Sequence, residues 1–464
     1  MQDFLISPTE RAQRHQRLLE YRTSTLLQSD CITKKVKLFG LSLLILAQDH
    51  HFFVYPISHL HGFHLWVLLT DRPVGADLNT DLNNLMLLTM ERLRDGIALG
   101  YTLPGVVVST IIEQCQYIMM THQSTVELCS VLGRFIEYLT QDYRPVCRLT
   151  VAVQSAQPTE CMYELKILTE TTLPLRARSI HDIGIKEASR TIEKIKYRGG
   201  KTGNQKPLEC KLSSLHRLKV ALVDCVHVPP LMYAFTPSRP VVVVNTHNIQ
   251  MTGLHCLLNH EIFPGHHLEV TRNYDKWGKT DVWWLSGFPG YVEGWATFCE
   301  QFCVEDAQCE YLQLELLRDL RLVVDTGIHS LECGRWTFPE AVEFMASGEF
   351  RGTFPIAGFS GLKIPHRQIT LEVLGIVSKP AYALSYKLGK LWFGYYYQRA
   401  LDMGLTQTEA FERLLSMRVP LCMLPQLIAV PCISPIEESD EMRSIMTGHW
   451  KGEYKPIHVS MCCF

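Results

Sequence analysis

No dense run of lysine and arginine occurs in the chain: 45 basic residues stand against 47 acidic ones, for a formal net charge of −2. That balance argues against a nucleic-acid or anionic-membrane surface. An apolar run long enough to cross a bilayer, roughly 20 residues, is also missing. The most apolar stretch, KLFGLSLLILAQ from Lys37 to Gln48, reads as a buried helix. The opening residues MQDFLISPTERAQRH show no signal sequence, so a reducing, cytoplasmic setting is expected. Cysteine is not scarce, at 16 residues, yet none forms a C-x-x-C pair of the zinc-ribbon kind. Cys299, Cys303 and Cys309 therefore read as packed free thiols. No internal repeat is evident either.

What the chain does hold is core material. Hydrophobic residues make up 47% and charged residues 20%, which excludes wholesale disorder. Leucines at helical intervals mark a helix between Arg11 and Gln48, and others follow over Asp77–Leu99, from Pro104, and over Ser124–Tyr143. The histidine-rich stretch from His50 to Leu69 lacks acidic residues and reads as core lining with a proline turn. Between Arg148 and Thr169 the period shifts toward two, in RLTVAVQS and MYELKILTE, which predicts short strands. A helix is expected from Ser179, then an exposed loop at RGGKTGNQKPLE. The valine run of PSRPVVVVNTHN predicts a strand ending near Asn245, either an ordinary buried strand or one on whose edge an extended peptide could lie.

The chemistry is concentrated in NHEIFPGHHLE, Asn259 to Glu269, and in GYVEGWATFCEQF, which begins at Gly290. Neutral imidazoles bind zinc, and an adjacent carboxylate can take a proton from water. The spacing departs from H-E-x-x-H, since His260 and His266 are six positions apart with Pro264-Gly265 between them. A regular helix would set His266 about 120° off the face of His260. Proline followed by glycine predicts a bulged or broken turn that returns His266 beside His260. His260, His266 and Glu293 are thus the expected metal ligands, with Glu261 as the base. His267, next along the chain, would point into the surroundings of the metal or toward substrate.

Further candidates lie downstream. Arg321, Asp325 and His329 recur at four-residue steps, hence on one helical face. They either orient a ligand and stabilise an oxyanion or form a solvated ion-pair face. Tyr382 and Tyr386, on a helix opening near Pro380, offer phenols that can donate to an oxyanion.

HEIFPGHHLE, VEGWATFCE, VVDTGIHS and PAYALSYKLG resemble the signature blocks of the domain-of-unknown-function 885 family, regarded as gluzincin-like zinc peptidases. RLRDGIALGYTLPGVVV and LLSMRVPLCMLPQL resemble its flanking blocks. The resemblance implies a helical metallopeptidase-like fold and, by position, the ligands and base named above. It also shows departures: Gly375-Ile376 replaces the usual Arg-Tyr, Pro380-Ala381-Tyr382 replaces Pro-Gly-Gln, and Phe411-Glu412 replaces Phe-His. The segment between Gly199 and Val241 is short for the family, and an N-terminal portion is expected to be missing.

The expectation is a mainly α, zincin-related domain with a small β-sheet, over residues 1–430. Scaffold helices would occupy 1–145 and the metal and substrate region 146–430, with an irregular tail over 431–464. The expected activity is zinc-dependent cleavage of short peptides, with Glu261, Arg321, His329 and Tyr386 catalytic and Asn245, His267, Asp325 and Tyr382 touching substrate. The alternative is a family member that keeps the metal for structure or binds peptides without cutting them.

Overall fold

Helix signals in the sequence locate most of the elements. The structure, a computed structural model, describes residues 13, 15–22, 32–49, 55–66, 76–121, 125–152, 159–197, 219–223, 231–234, 241–245, 254–277, 287–302, 308–416 and 418–425. The chain is mainly helical. The first helices are α1 (Ile32–Asp49), α2 (Ala76–Ala98), α3 (Gly105–Thr121), α4 (Val126–Tyr138), α5 (Thr159–Thr171) and α6 (Ala177–Tyr197). Three short strands follow, β1 (Lys219–Val223), β2 (Leu231–Ala234) and β3 (Val241–Asn245). Then come α7 (Leu254–Glu261), α8 (His266–Trp277), α9 (Pro289–Cys299), α10 (Gln308–His329), α11 (Phe338–Ser347), α12 (His366–Ser378), α13 (Leu384–Asp402) and α14 (Gln407–Leu414).

Local chemistry sets several of these boundaries. Gly100, at φ 77°, follows the end of α2 in the left-handed conformation that a helix C-terminus favours. Thr337 caps α11 by accepting from the Glu340 amide while the Glu340 carboxylate accepts from the Thr337 amide, a reciprocal cap that satisfies otherwise orphaned donors. Thr406 and Glu409 do the same for α14.

Two apolar cores share one wall. The first is filled from α2, α3 and α4 on one side and α10, α11 and α12 on the other. The second joins α1, α5, α9, α13 and α14. Helices α6 and α10 pack along each other and contribute to both: Ile192 and Val323 to the first, Ile183 and Leu322 to the second. A buried charge cluster ties this wall to α13. Lys387 Nζ lies 2.7 Å from Asp319 and 2.9 Å from Glu315 on α10, and 3.3 Å from Glu187 on α6. Buried charges of this kind persist only when paired.

Two expectations fail. Met162–Glu170, predicted as strand, lies in α5; of residues 148–155, those from 153 lie outside the described residues, and among the rest Arg148 makes only an isolated bridge to Pro104. Tyr163, Leu165 and Ile167 alternate as in a strand, but Tyr163, Ile167 and Leu168 also define a helix face, and that face is the one buried in the second core. The valine run does form β3, yet the strand order is β1-β3-β2. Paired parallel to β1 and antiparallel to β2, it is the central strand and offers no edge to a peptide. Asn245 ends it opposite Val223. The loop at Arg198–Glu209 and the tail over 431–464 lie outside the described residues. Of the histidine-rich stretch, residues 55–66 are described. There His64 bonds Gln114 at 3.0 Å and Gln114 donates to the His59 carbonyl at 2.8 Å, all in the interior. Among the described residues no helix is long and apolar enough to cross a membrane.

Candidate metal centre

Helix α7 ends at Glu261 and α8 starts at His266, so the chain between them is a turn and not a helical bulge. The Ile262 and Phe263 amides still donate to Leu258, at 2.9 and 3.3 Å, before the Leu268 amide reaches back to Ile262 at 3.3 Å. Gly265 permits the reversal: a Cβ there would come within 1.9 Å of the His260 carbonyl oxygen. The second motif braces the turn from outside. Trp295 Nε1 donates to the Pro264 carbonyl at 3.0 Å, and Cys299 Sγ contacts the same oxygen at 3.5 Å. Further along α8, Glu269 is fully buried and accepts two bonds from Arg418, at 2.9 and 2.6 Å, so the chain after α14 clamps the helix.

The turn places the His260 and His266 rings 4.7 Å apart at 89°. Glu293 arrives from α9, whose next residue, Gly294, makes the approach possible. A Cβ on Gly294 would sit 2.4 Å from the Cα of Gly389 on α13, so the two helix backbones cross in direct contact. Glu293 Oε2 then lies 3.5 Å from His260 Nε2 and 3.4 Å from His266 Nε2. All three ligand atoms fall within 4.8 Å of one another. Those separations exceed a normal N–H···O bond, and Oε2 has no hydrogen-bond partner although it is buried. They do match two ligands on one tetrahedral zinc, about 3.3 Å apart for bonds of 2.0–2.1 Å. Donor set and spacing therefore fit a zinc ion.

The other nitrogen of His260 is spoken for. Nδ1 lies 2.7 Å from Glu300 Oε1, and Arg318 Nη2 donates to that same oxygen. A proton held on Nδ1 by a carboxylate leaves the Nε2 lone pair for a metal. Burial raises the Glu300 carboxyl pKa, but Arg318 and His260 outweigh it and hold the group low, hence ionised. On His260, burial lowers the pKa, while the Glu293 carboxylate facing Nε2, the bond with Glu300 at Nδ1 and the charges of Glu300 and Glu261 raise it, to about 9 in the metal-free protein. A metal must then displace the Nε2 proton. Burial pushes the Glu261 carboxyl up, against the opposing pull of His260 and His266. Glu261 so placed is poised to hold a proton.

Tyr382 and Tyr386 close one side. The Tyr382 hydroxyl donates to Glu293 Oε1 at 2.5 Å. The Tyr386 ring stacks on His260, with centroids 6.0 Å apart and planes at 11°. Burial and the Glu293 charge raise both phenols well above the usual range, so each keeps its proton as a donor. The Arg321 guanidinium stands 4.9 Å from the Tyr386 ring centre and bonds Glu372 Oε2 through Nε and Nη2, at 3.0 and 2.7 Å.

The row on α10 does not act as one unit. Arg321 reaches the tyrosines, whereas Asp325 and His329, both fully buried, are used internally. Asp325 Oδ1 accepts from the Tyr163 hydroxyl at 2.6 Å and from the Ala381 amide at 3.0 Å. Its expected contact with substrate is replaced by a backbone role, because Ala381, at φ 67°, is held left-handed just before Tyr382. His329 Nε2 bonds the Ile376 carbonyl at 3.1 Å and its ring packs 5.3 Å from Tyr163. Burial drives its pKa down to about 3. Such an imidazole is neutral and inward, not an oxyanion donor. His267 is buried outside the ligand trio, and the side chain of Asn245 lies outside the description.

The departures from the family blocks fall on positions of different kinds. Ile376 is in the first core, and a Cβ on Gly375 would meet Leu60 at 3.4 Å. Glu412 pairs with Arg272 at 3.1 Å near the surface, whereas Tyr382 bonds Glu293. Residues that the sequence reading passed over are Glu300, Arg318, Glu372 and Lys379. Only Glu300 had a signal: it follows Glu293 by seven positions, two helical turns along the same face.

No curated protein matches the chain. Several solved chains share its fold. One is described as "the putative lipoprotein from Colwellia psychrerythraea", with 19% identity, TM-score 0.66 and 91% of each chain covered. Another, described as "a putative lipoprotein of unknown function from Shewanella oneidensis", has 12% identity and TM-score 0.56, covering 91% of this chain and 93% of that one. Residues 229–395, which contain His260, His266, Glu293, Glu300 and both tyrosines, match the family described as "Bacterial protein of unknown function (DUF885)".

Proposed function

We propose that the protein is a zinc-dependent peptidase acting on short peptides. The observation that carries this reading is the convergence of His260 Nε2, His266 Nε2 and Glu293 Oε2 within 4.8 Å, with Glu300 holding the far nitrogen of His260. Zinc bound there would polarise a carbonyl and lower the pKa of water to about 7. The chain's own groups supply the rest. Glu261 accepts the proton of the attacking water and returns it to the leaving amine. Tyr386 presents an O–H donor toward the carbonyl oxygen as it gains charge, while Tyr382 spends its O–H on holding Glu293. Arg321 keeps Tyr386 in place through its contact with the ring. Helices α7, α8, α9 and α13 wall the cluster, which favours short peptides over folded proteins.

The test is metal analysis of the purified protein, followed by a screen of short peptides with and without chelator. About one zinc per chain and chelator-sensitive cleavage are expected, and Glu261→Gln should retain the metal and lose cleavage. A Glu261→Gln protein as fast as the parent would remove the base assignment. Bound zinc with no peptide cleaved by the parent would instead favour a structural metal.

A further inference from the structure

Around the cluster the charged side chains are almost all committed. Glu300 holds His260 and Arg318, Arg321 is paired with Glu372, and Glu170 accepts from Lys166 at 2.7 Å. Lys379, between α12 and α13, is the exception. Its Nζ lies 3.3 Å from the centre of the Tyr382 ring, and among the described residues no carboxylate comes within ion-pair distance of it. The side chain is partly buried, so the ammonium is neither fully hydrated nor neutralised. Burial pulls its pKa down, with Glu170 and Glu293 opposing from beyond contact distance. A half-dehydrated ammonium over an aromatic face is a receptor for an anionic group.

Its position selects the anion. The ring on which Lys379 rests carries the hydroxyl that bonds the ligand Glu293. One phenol therefore separates the ammonium from the cluster. That is the scale of a single peptide residue, for which successive Cα atoms are about 3.8 Å apart. We propose that Lys379 binds the free C-terminal carboxylate of the peptide, so that the enzyme works from the C-terminus and releases the last residue or splits a dipeptide. This rests on the peptidase reading given above.

The test uses matched short peptides ending in a carboxylate or a carboxamide, with the parent protein, Lys379→Met and Lys379→Arg. Hydrolysis gives KM and kcat, and calorimetry gives binding to the zinc-loaded Glu261→Gln protein with and without the Lys379 changes. The parent should prefer the carboxylate by roughly ten- to hundredfold in KM and in Kd, the worth of one charged hydrogen bond. Lys379→Met should erase the preference with zinc content unchanged, and Lys379→Arg should restore part of it. A lysine that only packs on Tyr382 would shift acid and amide peptides alike, which overturns the proposal. Equal binding of acid and amide by the parent overturns it too, even if Lys379→Met fails to fold. Cleavage without that preference would sink the Lys379 assignment and leave the peptidase standing. If no peptide is cleaved, the peptidase reading fails, and the binding comparison still decides the role of Lys379.

Discussion

Consider Glu300→Gln. The amide keeps an oxygen for His260 Nδ1 but removes the charge that both His260 and Arg318 face. Two losses follow, and they are separable. Outer carboxylates of this kind change metal affinity by roughly 10- to 100-fold, or about 1.4–2.7 kcal/mol. Arg318 is only 5% exposed, and stripping a buried cation of its anion costs about 3–5 kcal/mol of folding stability. Chelator competition reads the first quantity, and urea unfolding of the metal-free protein reads the second. Arg318→Met added to Glu300→Gln should recover much of the folding loss, because no unpaired charge remains, while zinc affinity stays low. Parental zinc affinity in Glu300→Gln would refute the claim that this carboxylate sets the tautomer and basicity of His260.

Three other outcomes are expected. His266→Ala should empty the metal site and His267→Ala leave it filled, as read by metal content after purification; the reverse result would exchange their roles. Asp325 has its carboxyl raised to about 7, by burial against the opposing bonds from Tyr163 and Ala381. The folded state thus binds a proton more tightly than the unfolded one, and stability should fall as pH rises from about 4 to about 7. Asp325→Asn should flatten that slope, and an unchanged slope would show that another group sets it. Gly294→Ala should cost about 1–3 kcal/mol through overpacking against Gly389 and also weaken zinc binding by shifting Glu293, both measurable on one purified protein; a neutral result would mean that the helices separate freely.

The break between His260 and His266 is legible in the sequence because proline and glycine act locally, within the residues that must turn. Helices such as α2 and α3 are legible for the same reason, their boundaries and apolar stripes being written in neighbouring residues. Contacts that depend on distant segments are another matter. Asp325 and His329 share a helical face with Arg321, but only the arrival of Tyr163, Ala381 and Ile376 turns them inward. Periodicity names a face and not what covers it. The same limit hid the central place of β3, since alternation says nothing of neighbours in a sheet. Lys379 and Glu372 had no signal in spacing, because their importance comes from which partners the fold gives or denies them.

The crossing at Gly294 and Gly389 carries a consequence for how the chain can vary over time. Each glycine occupies the space that a methyl on the other would need, so the two positions are not independent letters. A larger residue at either one has to be answered by a retreat of the opposite helix, and that helix carries either the Glu293 carboxylate or Tyr386, whose ring stacks on His260. Drift at this crossing would therefore be read out in the spacing of His260, His266 and Glu293, with none of the three changed. A related chain that lost either glycine would be expected to have lost the cluster as well, even with every histidine in place.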